Sequence, residues 1–254
     1  MKGPPRMPNT SATPVAATAP AADGSLQMPG VQRRRGRPAG DGAAHADVRQ
    51  NLLRAGVAVL TEQGFASVGI DAILRSAGVP KGSFYYYFDS KEAFGLALID
   101  AYAEYFAAKL DHWFSDMSCK PLARLRNFID DARQGMARYE FRRGCLVGNL
   151  GQEMGALPES FRGRLLEVLA DWQRRTAACL RAAQDAGEIA ADVDCESLAA
   201  FFWTGWEGAV LHAKLARSPR ALDVFAEGFF ACAGAASHAL ARTSASSRKS
   251  VNHQ

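Results

Sequence analysis

Apolar residues recur three and four apart through most of this chain, and no stretch alternates apolar and polar residues long enough to predict a strand. Val48, Leu52, Ala55 and Val59 stand at i, i+4, i+7 and i+11 and predict a first helix, which Gly64 stops. Ile70, Ile73, Leu74 and Ala77 predict a second, short helix, with Ser67 capping its start and Gly78 as the left-handed residue at its end. Val79 and Pro80 then turn the chain into a third helix. On it Phe84 and Phe88, four apart, share a core-facing side, while Tyr85, Tyr86 and Tyr87 spread around the remainder. Asp89 or Ser90 caps a fourth helix, with Glu92 near its positive end and Phe94, Leu98, Ala101 and Tyr105 as its apolar stripe.

Beyond Pro121 the helical period continues, broken at Gly144 and Pro158. Phe161, Leu165, Leu169 and Trp172 mark a long element ended by Gly187. Two more helices are predicted at about 195–217 and 220–240. The first is apolar nearly all round, with Leu198, Phe202 and Ala209 on one side and Trp203, Trp206 and Val210 on another, so several of its faces are buried. In the second, Leu222, Phe225, Phe229, Cys232 and Ala236 are spaced like the seam of a helix pair. Together these two suit the four-helix interface of a homodimer. The predicted fold class is all-α: an N-terminal three-helix bundle containing a helix-turn-helix, then a larger C-terminal helical domain.

Composition divides the chain further. Residues 1–40 hold many of the prolines and almost no large apolar side chains, too little to offset chain entropy, and read as a disordered basic arm; residues 241–254 read as a disordered tail. Between them lie a helix-turn-helix domain, 41–92, and a second domain, 93–240. The hydrophobic content of 48% is ample for a packed core. A net charge of +4 makes no case for a nucleic-acid partner, but its distribution does, since VQRRRGRP (31–38) carries four arginines and no acid. Five cysteines without CxxC spacing make a poor disulfide framework and point to a reducing cytoplasm. No signal peptide or run of transmembrane length occurs, so no membrane partner is expected, and no metal or cofactor fingerprint is present.

The wording of residues 64–94, GFASVGIDAILRSAGVPKGSFYYYFDSKEAF, resembles the N-terminal DNA-binding segment of the TetR family of transcriptional repressors. Ala77-Gly78-Val79, Lys81-Gly82-Ser83, Tyr85, Phe88 and Ser90-Lys91-Glu92 stand where that family's pattern has them, and the likeness covers about residues 45–95. It departs at Gly69, where many members carry Thr or Ser, so one side-chain phosphate contact is missing. The later GCLVGNLGQEMG (144–155) and AKL (213–215) look like the subset that responds to acrylate or reactive electrophiles.

The resemblance implies that the third helix enters the major groove of a double-stranded DNA operator, with Lys81, Gly82 and Ser83 nearest the bases. Tyr85, Tyr86 and Tyr87 would reach phosphates or base edges while their rings cover thymine methyls and sugar; partial core packing is the other reading of Tyr87. Lys91 is expected at a phosphate. Arg35 and Arg37, flanking Gly36, are either a minor-groove arm or a solvated basic linker. Residues beyond about 95 are implied to bind a small-molecule effector that changes the spacing of the two recognition helices of a homodimer on a palindromic operator.

Cys145 follows Arg142, Arg143 and Gly144 near a predicted helix start, and positive neighbours together with a helix N-terminus favour thiolate. It matches the cysteine of electrophile-responsive relatives, and Lys214 matches their AKL lysine, which implies a sensor at Cys145 with Lys214 close by; an inert buried cysteine is the other reading. Arg142, Arg143 or Lys214 would supply a cation for the carboxylate of an acrylate-like effector, and Asn149, Glu153, Trp203 and Trp206 would line its cavity, with core packing the alternative for the tryptophans. Glu207 reads as a buried acid needing a partner. An enzyme with Cys145 as nucleophile would need a base from His112, His212 or His238 and has no oxyanion hole, so no catalytic function is expected. An architectural DNA-binding protein without an effector is the remaining alternative, its C-terminal half serving only as a dimer scaffold.

Overall fold

The computed structural model describes residues 41–234, with side chains from residue 45 onward. Arg35, Arg37, the arm and tail assignments, Ala236 and His238 lie outside the described residues. Within them the chain is all-helical, with no strand.

Helix α1 (Asp41–Gln63) buries Leu52, Leu53, Val57 and Leu60 and ends at Gly64. Helix α2 (Ile70–Ala77) buries Ile73 and Leu74 and closes at Gly78, whose φ of 65° lets the N–H groups of Gly78 and Val79 donate to the carbonyls of Arg75 and Leu74. The cap expected from Ser67 is not made. Its hydroxyl instead donates to Gln63 O at 2.7 Å, satisfying one of the last carbonyls of α1, and Gly69 holds the α2 N-cap without a side-chain bond.

The third helix is shorter than its sequence pattern suggests: a 3-10 turn at Lys81–Ser83 followed by α3 (Phe84–Tyr87). Phe88 leaves helical backbone at φ −143°, yet its ring stays buried, 5.6 Å from that of Phe84 and 4.8 Å from that of Phe94. Ser90 then caps α4 (Lys91–Phe114), accepting from Ala93 N. This helix serves both halves of the protein. Phe94 and Leu98 complete the core of the small bundle, while Tyr102, Phe106 and Leu110 enter the larger one.

The C-terminal half comprises α5 (Pro121–Ala137), α6 (Leu146–Gln152), α7 (Ser160–Asp185), α8 (Cys195–Ala216) and α9 (220–234). Helix α7 packs against α4, α5 and α8, with Trp172 fully buried 4.3 Å from the Phe106 ring and 4.9 Å from that of Trp203. The predicted seam on α9 joins it to α8 of the same chain: Leu222 and Phe229 are buried, and the Phe202 and Phe229 rings meet at 5.1 Å. Phe201 and Val224 point outward, as does Cys232.

The two halves leave no room for a side chain at Gly95. A Cβ there would stand 2.3 Å from the Phe161 ring of α7 and 2.8 Å from the Phe65 ring in the α1–α2 loop. Gly95→Ala is therefore expected to cost about 1–3 kcal/mol by overpacking. Urea denaturation checks this, an unchanged midpoint being the contrary result.

Candidate functional site

The helix-turn-helix presents its polar groups outward. Tyr85 and Tyr86 are 66% and 70% exposed, whereas Phe84 and Phe88 beside them are core. Tyr87 is half-buried, its hydroxyl 3.2 Å from His45 Nδ1 on α1, and the His45 ring stacks on Tyr86 at 4.9 Å. Lys81 pairs with Asp71 at 2.8 Å, but both side chains are well exposed, so the pair is weak and easily exchanged. Ser83 is partly exposed beside it. No atom lies within 4 Å of where a Cβ on Gly82 would stand, so nothing inside the protein requires glycine there.

Lys91, expected at a phosphate, is turned inward instead. Its ammonium donates to Phe65 O at 2.8 Å and sits 4.6 Å over the Phe65 ring, and burial lowers its pKa. The Phe65 carbonyl lies in the loop after α1, outside any helical ladder, and the cation supplies its donor.

A cavity of about 120 Å³ opens between α4, α5, α8 and the segment leading into α6. An apolar cavity of roughly 150 Å³ is large enough to admit benzene, so this one takes a molecule of a few heavy atoms. Tyr102 and Phe106 from α4, Met136 and Tyr139 from α5, and Trp206 and Val210 from α8 form its walls. Three charged groups interrupt them. Lys109 is paired with Asp131 at 2.6 Å, and Arg143 lies 3.8 Å over the Tyr139 ring and 3.9 Å from Glu62. The third is Glu207.

Of the residues expected in an effector site, Cys145 and Trp206 line this cavity, with Arg143 of the three cations considered. Arg142 is exposed and pairs with Glu140 at 2.6 Å. Trp203 belongs to the core, its indole N–H donating to Thr176 Oγ1 at 2.9 Å. His112 and His212 are exposed and lie outside the cavity walls, so neither stands as a base beside Cys145. The thiolate expected at Cys145 is also corrected. The residue is buried ahead of a helix of seven residues, and desolvation followed by the Glu207 carboxyl pushes its thiol well above the usual range. The arginines before it in sequence spend their charge on Glu140 and Glu62.

Glu207 was legible only as an acid stranded in an apolar helix. Its carboxyl is enclosed, with Oε1 buried and without a hydrogen-bond partner. A Cβ on Gly148 would fall 2.1 Å from Oε2, so the missing side chain of α6 makes room for it. Burial raises its pKa to about 7, a hydrogen bond with Cys145 acting the other way. Tyr102, Lys109 and Tyr139 were missed. Tyr102, Phe106 and Lys109 follow i, i+4, i+7 spacing on α4, a signal that reads equally as core.

Asn149, Glu153 and Lys214 serve another purpose. Thr61 O, near the end of α1, accepts from Gly144 N at 3.2 Å, Asn149 Nδ2 at 2.9 Å and Lys214 Nζ at 2.9 Å. The Glu153 carboxylate accepts from Phe65 N at 3.0 Å and Ala66 N at 2.7 Å. Thus α6 starts at the cavity, with Cys145, and ends clasped to the loop between α1 and α2.

A helix-turn-helix with an outward hydrogen-bonding second helix, tied by shared elements to a helical half that holds a small cavity, defines a DNA-binding regulator. Residues 52–98 match the family described as bacterial regulatory proteins, tetR family, and residues 121–229 match the tetracyclin repressor-like C-terminal domain. The chain belongs to the TetR family of transcriptional regulators, which bind DNA operators and are not enzymes. It is 59% identical over 196 residues to the transcriptional regulator AcuR of Cereibacter sphaeroides, covering 77% of this chain and 89% of that one. A crystal structure of the regulatory protein TetR from Rhodobacter sphaeroides superimposes with a TM-score of 0.71 at 59% identity, covering 72% of this chain and 97% of that one. The transcriptional repressor NemR of Escherichia coli is 30% identical over 184 residues, 70% of this chain and 89% of its own. No helix among the described residues is long and apolar enough to cross a membrane.

The raised Glu207 pKa has a signature in stability. Between its ordinary value of 4.5 and about 7 the folded protein holds a proton that the unfolded chain releases, so this group's contribution turns against folding as pH rises through that window. Glu207→Gln should therefore gain on the wild type by about 2 kcal/mol between about pH 5 and about pH 8. Urea denaturation of both proteins across that range reads this directly. A difference that stays flat with pH would show a freely ionised carboxylate.

Proposed function

We propose that the protein is a cytoplasmic repressor that binds a palindromic operator as a homodimer and leaves it when a small acrylate-like, electrophilic or oxidising compound enters the cavity. The observation that carries this reading is the continuity of α6 from Cys145 in the cavity wall to Glu153 on the DNA-binding half. A ligand that moves the first turn of α6 moves the clasp on α1 and the loop, because a packed helix shifts as a body.

In this reading Lys81, Gly82 and Ser83 approach the bases, and Tyr85 and Tyr86 contact phosphate, sugar or base edges. His45 braces Tyr86 and Tyr87 from α1. Lys91 holds the α1–α2 loop in place of a phosphate. Arg35 and Arg37 add affinity of the salt-dependent kind. Phe201 and Val224, apolar and outward on α8 and α9, are the surface offered to a second copy. The size of the cavity, its soft thiol and its Arg143 suit a small unsaturated acid. Five unpaired cysteines accord with a reducing compartment.

Fluorescence anisotropy of the full chain, with a duplex from upstream of its own gene and a shuffled duplex, tests this reading. Tight binding to the first alone, lost on adding acrylate or a mild thiol oxidant, is the expected result. Equal, salt-limited binding to both duplexes would favour the architectural alternative, and release by neither compound would remove the proposed effector class. Cys145→Ser should abolish release by the oxidant, and release by acrylate that survives it would assign a reversible pocket.

The clasp makes a separate prediction. Glu153→Gln replaces one charged acceptor of the loop N–H groups by a donor, so operator binding should persist while the acrylate concentration for half-release rises about fivefold or more. A dose–response superimposable on the wild type would place the coupling elsewhere.

A further inference from the structure

Two polar atoms of residues lining the cavity are buried with no hydrogen-bond partner: Glu207 Oε1 and Arg143 Nε. A native interior rarely leaves such atoms unsatisfied unless something else completes them. The other charges around the cavity balance: Lys109 against Asp131, Arg143 against Glu62. An ionised Glu207 would thus give the cavity a net negative charge and oppose an anion, whereas the neutral acid leaves it balanced and offers an O–H donor.

We infer that Glu207 recognises the effector as a neutral carboxylic acid, donating a hydrogen bond to a carboxylate or carbonyl oxygen with Arg143 as the companion donor, and that binding a small anion draws a proton onto the protein. This deepens the reading of the cavity as the effector site and rests on it. A carboxyl kept neutral by apolar surroundings is a strong donor to an oxyanion, and a short O–H to carboxylate bond is among the stronger hydrogen bonds available.

The neighbours fit this role. Cys145, just ahead of α6, hydrogen-bonds with the carboxyl, and Tyr102 of α4 hydrogen-bonds with Cys145; burial raises the pKa of both, so both stay protonated through neutral pH. Tyr105 of α4 is raised as well, by burial and then Asp131. Lys109 of α4 and Asp131 of α5 are engaged with each other, Tyr139 of α5 is covered by Arg143, and Glu62 of α1 faces Arg143. Glu207 alone is shifted to about 7, where an incoming negative charge tips it fully to the acid. Gly148 keeps the space in which the carboxyl sits.

Titration of the full chain with sodium propionate and with acrylate, followed by tryptophan fluorescence and by calorimetry in buffers of different ionisation heat, tests the proposal. Propionate carries the carboxylate but cannot add to a thiol, so its binding reports recognition alone. For both ligands the dissociation constant should be flat between about pH 6 and about pH 7, above the ligands' own carboxyl range, and weaken about tenfold per pH unit above about pH 7, with uptake approaching one proton per site at about pH 8. Glu207→Gln, which keeps a donor without a titrating proton, should bind with no pH dependence and no uptake. Wild-type proton uptake decides the matter if that variant does not fold. Binding that is pH-independent, that tightens as pH rises, or that keeps its pH dependence in Glu207→Gln would overturn the proton role and leave the cavity reading standing. Failure of the wild type to bind either ligand at any pH would overturn both.

Discussion

A helix that ends inside a protein leaves carbonyl groups that must find donors, and the architecture of this chain turns on how α1 finds them. Thr61 O takes three, from a backbone N–H, an amide and an ammonium, and all belong to the C-terminal half. The positive charge of Lys214 suits the negative end of the α1 dipole, and burial lowers its pKa in the process. Just beyond, the Glu153 carboxylate takes the two loop N–H groups that no helix provides for. Each bond is modest in net energy, but breaking any of them leaves a partly buried polar group unpaired, which is the larger cost. The two halves are therefore held at a defined angle by polar groups with specific geometry, while the aromatic contact of Phe65 with Phe161 supplies the apolar part of the joint.

Desolvation governs the chemistry of the cavity. Cys145, Tyr102 and Glu207 are all pushed toward their neutral forms, so a space that the sequence presents as flanked by arginines is, in its interior, almost free of unbalanced charge. Reactivity at Cys145 then depends on what enters. A ligand or a water that brings polarity beside the thiol lowers the cost of the thiolate, and the resting protein keeps it guarded.

Most of the fold was legible because its determinants are local. Gly78, Ser90, Pro121 and Gly187 punctuate helices wherever they occur, and the three-and-four spacing of Phe161, Leu165 and Trp172 survives any tertiary arrangement. The site was legible in part for the same reason. Tyr85 and Tyr86 face outward because Phe84 and Phe88 cannot, a choice fixed within one turn. What sequence could not supply was long-range pairing. That Lys91 would find the carbonyl of Phe65, that Asn149 and Lys214 would converge on Thr61, and that Glu207 rather than Glu153 would face the cavity all depend on contacts between residues dozens of positions apart. The basic sequence around Cys145 misled because neighbours along a chain need not be neighbours in field.

Helix α4 adds a matter of leverage. Its 24 residues run from the bundle core at Phe94 to the cavity wall at Tyr102, Phe106 and Lys109 and on to Phe114. At 1.5 Å per residue it is a rod of about 36 Å. A tilt of about 5° about one end carries the other through about 3 Å, close to the 3.4 Å rise between successive base pairs. A tilt that moves the cavity wall by about 1 Å would thus move the far end of the rod by about the rise of one base pair.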